Sequence, residues 1–135
     1  MRLSPRSLSR KVRALIKLLV LPELCITGYT CGDLFLQKAL LTKAKGELRE
    51  LIRFTKGDDM LIFAGLPWEY NNKLFNVAAA IQDGRLLGLV PKMNLPNYSE
   101  FYEARQFNAG EERTVRVEWD GYEVPFGSRI LYRCT

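Results

Sequence analysis

Two charged side chains in this 135-residue sequence follow directly on apolar runs that end in proline. Glu23 comes after residues 18–22, and Lys92 comes after residues 86–91. Parallel α/β sheets bind ligands at the carboxyl ends of their strands, so both positions suit a functional site. A partly desolvated carboxylate can act as a general base, and an ammonium can stabilise a developing oxyanion. Taken singly, each residue is more often a solvated side chain at a strand end.

A segment rich in polar and aromatic side chains begins five positions after Lys92. Residues 97–102 read NYSEFY and contain a second candidate carboxylate, Glu100. Tyrosine and asparagine side chains can orient a polar ligand, which makes Tyr98 a candidate binding residue. The spacing of Tyr98 and Tyr102 is also that of two packing residues on one face of a helix.

The nucleophiles and metal ligands of the sequence are few. Histidine is absent, which excludes a histidine-based triad, a histidine general base and the commonest zinc ligand. The three cysteines, Cys25, Cys31 and Cys134, include no C-x-x-C pair, so neither a disulfide framework nor a structural metal site is expected. A reducing, cytoplasmic compartment is therefore the default expectation. Cys25 and Cys31 follow Glu23 closely and could include a thiol nucleophile, although small buried apolar side chains are commoner.

The net charge of +5 is confined to the start of the chain. Residues 1–17 hold six basic side chains and no acid, whereas the remainder has 14 basic and 15 acidic residues. Such a balance offers no basic groove, so no nucleic-acid partner is expected. Lys17 interrupts the best apolar run, so no membrane span is expected either. Residues 1–16 are interpreted as a basic tail or helix remnant, with a targeting peptide as the alternative.

Apolar runs and turn signals predict an α/β fold with a mixed sheet. The first half is expected to form one β-α-β unit, with buried strands over residues 18–21 and 60–64 and helices over residues 34–41, capped by Asp33, and around 48–52. The second half is expected to form two hairpins, with turns at Asp83-Gly84 and Asp120-Gly121. A last strand is expected over residues 130–134.

Three segments together resemble one enzyme family, the glutaminase domains of glutamine-dependent NAD synthetases, within the nitrilase (carbon-nitrogen hydrolase) superfamily. They are residues 22–35 (PELCITGYTCGDLF), residues 65–78 with GLP and LFNVA at their ends, and residues 90–103 (VPKMNLPNYSEFYE). The resemblance runs from about residue 17 to the C-terminus. It therefore assigns residues 17–135 to part of such a domain, a partial α-β-β-α sandwich.

The resemblance also implies roles for particular residues. The family uses a Glu-Lys-Cys triad, which makes Glu23 the general base and Lys92 the catalytic lysine. Glu100 matches a second glutamate that supports this centre, and Tyr98 matches a tyrosine of the glutamine pocket. The family's nucleophilic cysteine lies on a loop after a later strand, and Cys134 lacks that context. The nucleophile is therefore expected outside these 135 residues, and the chain alone is expected to be inactive.

The partners implied by the resemblance are L-glutamine and a synthetase domain. No cofactor is expected in the glutaminase part, whereas ATP and magnesium would belong to the synthetase domain, and the complete enzyme is expected to be a homo-oligomer. Two alternatives remain at this stage. One is a stand-alone nitrilase-type amidase, and the other is a non-catalytic binding or assembly module with the same fold.

Overall fold

A six-stranded mixed sheet organises the chain in the computed structural model, which describes residues 15–98 and 101–133. The strands are β1 Leu18–Val20, β2 Leu61–Tyr70, β3 Lys73–Gln82, β4 Arg85–Pro91, β5 Asn97–Tyr98, β6 Phe101–Tyr102, β7 Val115–Trp119 and β8 Tyr122–Phe126. The main sheet has the order β1-β2-β3-β4-β8-β7, while β5 and β6 pair only with each other. The β1/β2 and β4/β8 pairs are parallel and the other pairs of the sheet are antiparallel. The predicted α/β class with a mixed sheet is confirmed.

The predicted β-α-β unit is present, but its helical part differs from the prediction. A short 3-10 helix, Gly32–Leu36, precedes one continuous helix, α1, Lys38–Phe54. The prediction of two helices was wrong because the alanine, leucine and lysine residues of α1 are strong helix formers and carry the helix through Gly46. The predicted cap at Asp33 was also wrong, since the Asp33 carboxylate accepts hydrogen bonds from Arg105 and Gln106 instead.

The two predicted hairpins are confirmed. Asp83 and Gly84 have φ angles of 46° and 71°, and Asp120 and Gly121 have φ angles of 45° and 89°. Both positions of each turn therefore lie in the left-handed region that a type I′ turn requires.

The predicted strand over residues 130–134 is not formed in its described part, residues 130–133. Tyr132 lies across the sheet instead, with its ring edge-on to Phe63 at 5.4 Å between centroids. Gly88 provides the room, because a Cβ there would lie 2.9 Å from the Tyr132 hydroxyl.

One face of the sheet is covered by α1. Leu48 and Ile52 of α1 pack on this face, against buried side chains that include Ile62 and Leu66 of β2.

The expectation of a fully buried β1 was wrong, since this strand forms the sheet edge and Leu18 and Val20 are 56% and 67% exposed. No helix in the described ranges is long and apolar enough to cross a membrane.

Candidate active site

The loop that carries Glu23 rests on the main chain of β2. It leaves β1 at Pro22 and turns at Leu24, a non-glycine residue with a φ of 50°. The main-chain N–H of Ile26 donates to the Gly65 carbonyl at 3.1 Å. A Cβ on Gly65 would lie 3.0 Å from the Glu23 Cα and closer still to the Leu24 nitrogen. The missing side chain of Gly65 therefore allows the approach that fixes the position of Glu23.

Lys92 is held just beyond the end of β4 by its own main chain. Its N–H donates to the Asn76 carbonyl at 2.8 Å, and its carbonyl accepts from the Gly110 N–H at 2.8 Å. These two bonds attach the residue to β3 on one side and to the 106–114 connection on the other. The backbone position of Lys92, from which its side chain extends, is therefore fixed by main-chain hydrogen bonds.

The structure brings Glu23 and Lys92 into direct contact although they are 69 positions apart in the chain. The Lys92 ammonium donates to Glu23 Oε1 at 2.8 Å and to Glu103 Oε1 at 2.9 Å. The Asn76 side-chain amide also donates to Glu23 Oε1. Partial burial works against the charge of Lys92, but the bonds and charges of the two carboxylates outweigh it and raise the pKa of Lys92. Lys92 is thus a cation held between two carboxylates.

Glu103 is the site residue that the sequence analysis missed. Its side chain is 6% exposed, and Oε1 accepts from the Tyr29 hydroxyl at 2.9 Å as well as from Lys92. Its Oε2 is buried and has no hydrogen-bond partner among the described residues. Burial and the hydrogen bond to Glu103 raise the pKa of Tyr29 to about 12, so Tyr29 remains a donor. The sequence offered little indication that Glu103 belongs to the site, because its neighbours Phe101 and Tyr102 do not show that its carboxylate is buried.

The other two predicted site residues are not tested by the geometry. Glu100 lies outside the described residues, so its predicted contact with the centre remains a prediction. Tyr98 lies on β5 and is 69% exposed. Its predicted role at the substrate pocket also remains a prediction.

The two described cysteines do not have the surroundings of an activated nucleophile. The Cys25 thiol packs against the core and donates to the Gly65 carbonyl at 3.6 Å. Burial raises the pKa of Cys25, which disfavours the reactive thiolate. The Cys31 thiol contacts the carbonyls of Thr27 and Gly28. Cys134 lies outside the described residues.

A cavity of about 340 Å³ opens beside the Glu23–Lys92 pair. Its walls are mostly apolar residues of β2, β3, β4 and the end of β1, together with Asn76, Glu23 and Lys92. Ligand pockets commonly have such volumes, with a few convergent polar groups on apolar walls. Within the described ranges, no three cysteine or carboxylate side chains are grouped so as to hold a metal ion. The arrangement suits transfer of a proton and stabilisation of an anion.

A comparison with protein families assigns the chain to a family. The family model described as carbon-nitrogen hydrolase matches residues 6–132. The chain belongs to the carbon-nitrogen hydrolase family. This is a family of enzymes, and its match agrees with the sequence resemblance.

Curated relatives of this carbon-nitrogen hydrolase chain include two enzymes named glutamine-dependent NAD(+) synthetase. The one from Mycobacterium bovis is 37% identical over 117 residues, which are 85% of this chain and 17% of the relative. The one from Aquifex aeolicus is 38% identical over 109 residues, which are 81% of this chain and 19% of the relative. The chain thus spans less than a fifth of the length of these relatives.

Solved structures show the same likeness. A glutamine-dependent NAD(+) synthetase from Cytophaga hutchinsonii superposes with a TM-score of 0.84 at 29% identity, covering 93% of this chain and 21% of the other. The NitN amidase from Nesterenkonia sp. AN1 has a TM-score of 0.58 at 23% identity, covering 86% of this chain and 45% of the other. The amidase likeness shows the fold alone.

Proposed function

We propose that this chain supplies the general base and the cationic group of a site that hydrolyses L-glutamine and passes the ammonia to NAD synthesis. The observation that carries the proposal is the Lys92 ammonium, bonded to Glu23 and Glu103 at the wall of the cavity. The names of the relatives support the choice of glutamine among amides.

In the proposed reaction, Glu23 moves one proton through two steps. It accepts the proton of a cysteine thiol as the sulfur attacks the amide carbon, so a C–S bond forms and the carbonyl oxygen becomes negative. It then gives the proton to the leaving nitrogen as the C–N bond breaks, which releases ammonia and leaves a thioester. A water molecule, deprotonated by Glu23, hydrolyses the thioester to glutamate, and the proton returns to the sulfur. The cysteine is proposed to come from outside residues 15–133.

Lys92 has the electrostatic role. Its ammonium is already formed and fixed before substrate arrives, so it can stabilise the oxyanion without being reoriented during the reaction. Glu103 positions this ammonium through a carboxylate that is itself fixed by Tyr29. We further propose that ATP and magnesium serve a separate synthetase domain and that the glutaminase part needs no cofactor.

The experiment is an exchange of segments. In the grafted enzyme, residues 15–133 of this chain replace the matching segment of the Cytophaga hutchinsonii synthetase. Glutamate release is measured with glutamine as substrate, beside the 135-residue chain alone. NAD formation from added ammonium chloride reports that the synthetase domain has folded. Thermal unfolding of the grafted enzyme, measured beside the unmodified synthetase, reports whether the grafted part has folded.

We expect glutamate release from the grafted enzyme and none from the isolated chain. A grafted enzyme that is folded by both measures but releases no glutamate contradicts the proposal. Turnover by the isolated chain that is abolished by Cys25→Ala or Cys134→Ala would show that the nucleophile is misplaced. Hydrolysis of short aliphatic amides without preference for glutamine favours an amidase, and glutamine binding without turnover favours a binding module.

A further inference from the structure

Asn76 is the one described residue that bonds to both Glu23 and Lys92. Its side-chain amide donates to Glu23 Oε1, and its main-chain carbonyl accepts from the Lys92 N–H at 2.8 Å. The residue lies on β3 and is 3% exposed. A single position on the sheet therefore fixes the carboxylate through a side chain and the lysine through the backbone.

Packing alone does not require a polar side chain at position 76 of this strand. The residues two and four positions further along the same face of β3 are Ala78 and Ala80. A buried amide costs free energy unless it is hydrogen-bonded, so an apolar side chain would suit packing alone. The partner that the Asn76 amide finds is the Glu23 carboxylate.

The two oxygens of Glu23 are thereby made unequal. Oε1 accepts from the Lys92 ammonium and from the Asn76 amide. Neither donor can accept a proton, because an ammonium has no free lone pair and an amide NH₂ group acts only as a donor. A proton placed on Oε1 would point at one of these two donors and break its bond. Oε2 is free of both contacts and can be protonated without loss of either bond.

We propose that Asn76 is a positioning residue that, together with Lys92, reserves Oε1 of Glu23 and makes Oε2 the oxygen that accepts and returns the proton. This inference rests on the proposed function for its catalytic consequence. Its structural part, that Asn76 holds Glu23 against Lys92, stands independently and can be measured without any turnover.

The first experiment uses the 135-residue chain and follows the titration of Lys92 by NMR of its side-chain Cε. Asn76→Leu keeps the branched shape and the number of heavy atoms of the side chain and removes the donor. Asn76→Ser serves if the larger leucine does not allow folding. We expect the pKa of Lys92 to shift downward in Asn76→Leu, as in Glu23→Gln, with no further shift in the double variant. Gln82→Leu, which removes an amide at the other end of β3, should cause no shift.

An unchanged Lys92 titration in Asn76→Leu, beside a lowered one in Glu23→Gln, overturns the positioning role. An unchanged titration in both variants shows that the Glu23–Lys92 pair itself is absent, and the proposal is overturned with it. Both results are independent of glutaminase activity.

The second experiment measures kcat and KM for glutamine in the grafted enzyme. A misplacement of about 1 Å at a reacting group costs about 100-fold, so we expect Asn76→Leu to lower kcat by roughly that factor with little change in KM. Asn76→Asp, which sets a second carboxylate against Glu23, should lower kcat further. In a Glu23→Gln background, Asn76→Leu should add no loss.

Independent, multiplying losses from Asn76→Leu and Glu23→Gln overturn the inference, as does a change in KM alone. If the grafted enzyme without any substitution folds but does not release glutamate, the proposed function is refuted instead. In that case the Lys92 titration still decides whether Asn76 positions Glu23.

Discussion

Substitution of Gly65 by alanine is expected to displace the loop that carries Glu23. The added Cβ would lie 3.0 Å from the Glu23 Cα and carbonyl carbon, and closer still to the Leu24 nitrogen, whereas ordinary contact begins at 3.4 Å. All these atoms belong to the main chain, so no side-chain rotation can relieve the overlap. The loop must move by more than 0.4 Å, which also strains the bond between the Ile26 N–H and the Gly65 carbonyl.

The expected cost follows from these two effects. Overpacking a well-packed site costs about 1–3 kcal/mol, and a weakened main-chain hydrogen bond adds about 1 kcal/mol. We therefore expect Gly65→Ala to lower the free energy of unfolding of the 135-residue chain by about 3 kcal/mol. For a domain of this size, that loss lowers the melting temperature by about 10 °C.

The matched control is Gly46→Ala in the middle of α1. A Cβ there meets no atom within 4 Å, and alanine is the better helix former. This variant should raise the free energy of unfolding by about 1 kcal/mol. Thermal and urea denaturation followed by circular dichroism measure both variants. A Gly65→Ala protein that melts within about 2 °C of the parent would refute the close approach of the Glu23 loop to β2.

Three further variants test other contacts. Tyr132→Phe should stabilise the protein by about 1 kcal/mol at pH 7, because the Tyr132 hydroxyl is buried without a partner in the described part of the chain. Burial also raises the pKa of Tyr132 to about 12, so as the pH rises this hydroxyl ionises in the unfolded chain before it does in the folded protein. The parent protein should therefore lose stability between about pH 10 and 12, and Tyr132→Phe should lose less. Glu103→Gln should lower the pKa of Lys92 in an NMR titration by removing one of its two carboxylate partners, whereas Glu112→Gln should leave it unchanged. Asp120→Asn keeps the turn but weakens the pair with Arg49, and urea denaturation should show a loss below about 1 kcal/mol that shrinks in 1 M salt.

The elements that could be predicted from the sequence are those set by local chemistry. The Asp83-Gly84 and Asp120-Gly121 turns need left-handed backbone at both positions, and few dipeptides supply it, so both hairpins were predictable. The apolar runs before Glu23 and Lys92 likewise indicated where strands would end. Contact between those two residues depends on parallel pairing of β1 with β2, which the β-α-β pattern implied.

The features that could not be predicted depend on contacts between distant segments. Glu103 is buried where Lys92 and Tyr29 both donate to its carboxylate, and nothing near it in the sequence indicates those partners. Residues 130–133 have the alternation of a strand, but Tyr132 is placed by the gap over Gly88 rather than by pairing. Asp33 had the residue type of a helix cap and was instead bonded by Arg105 and Gln106, more than 70 positions away.

The most direct test of the account is a double-variant cycle on glutamate release by the grafted enzyme, with Glu23→Gln, Lys92→Met and the two combined. Groups that act as one unit give losses that do not multiply. We expect each single variant to lower kcat by about 1,000-fold or more, and the double variant to have a kcat at most about tenfold below that of the less active single variant. The control Lys73→Met removes a lysine that is paired with Glu111, and its kcat should equal that of the grafted enzyme without substitutions. Activity within about tenfold of the parent in either single variant, or two losses that multiply in full, would contradict a shared reaction centre at Glu23 and Lys92.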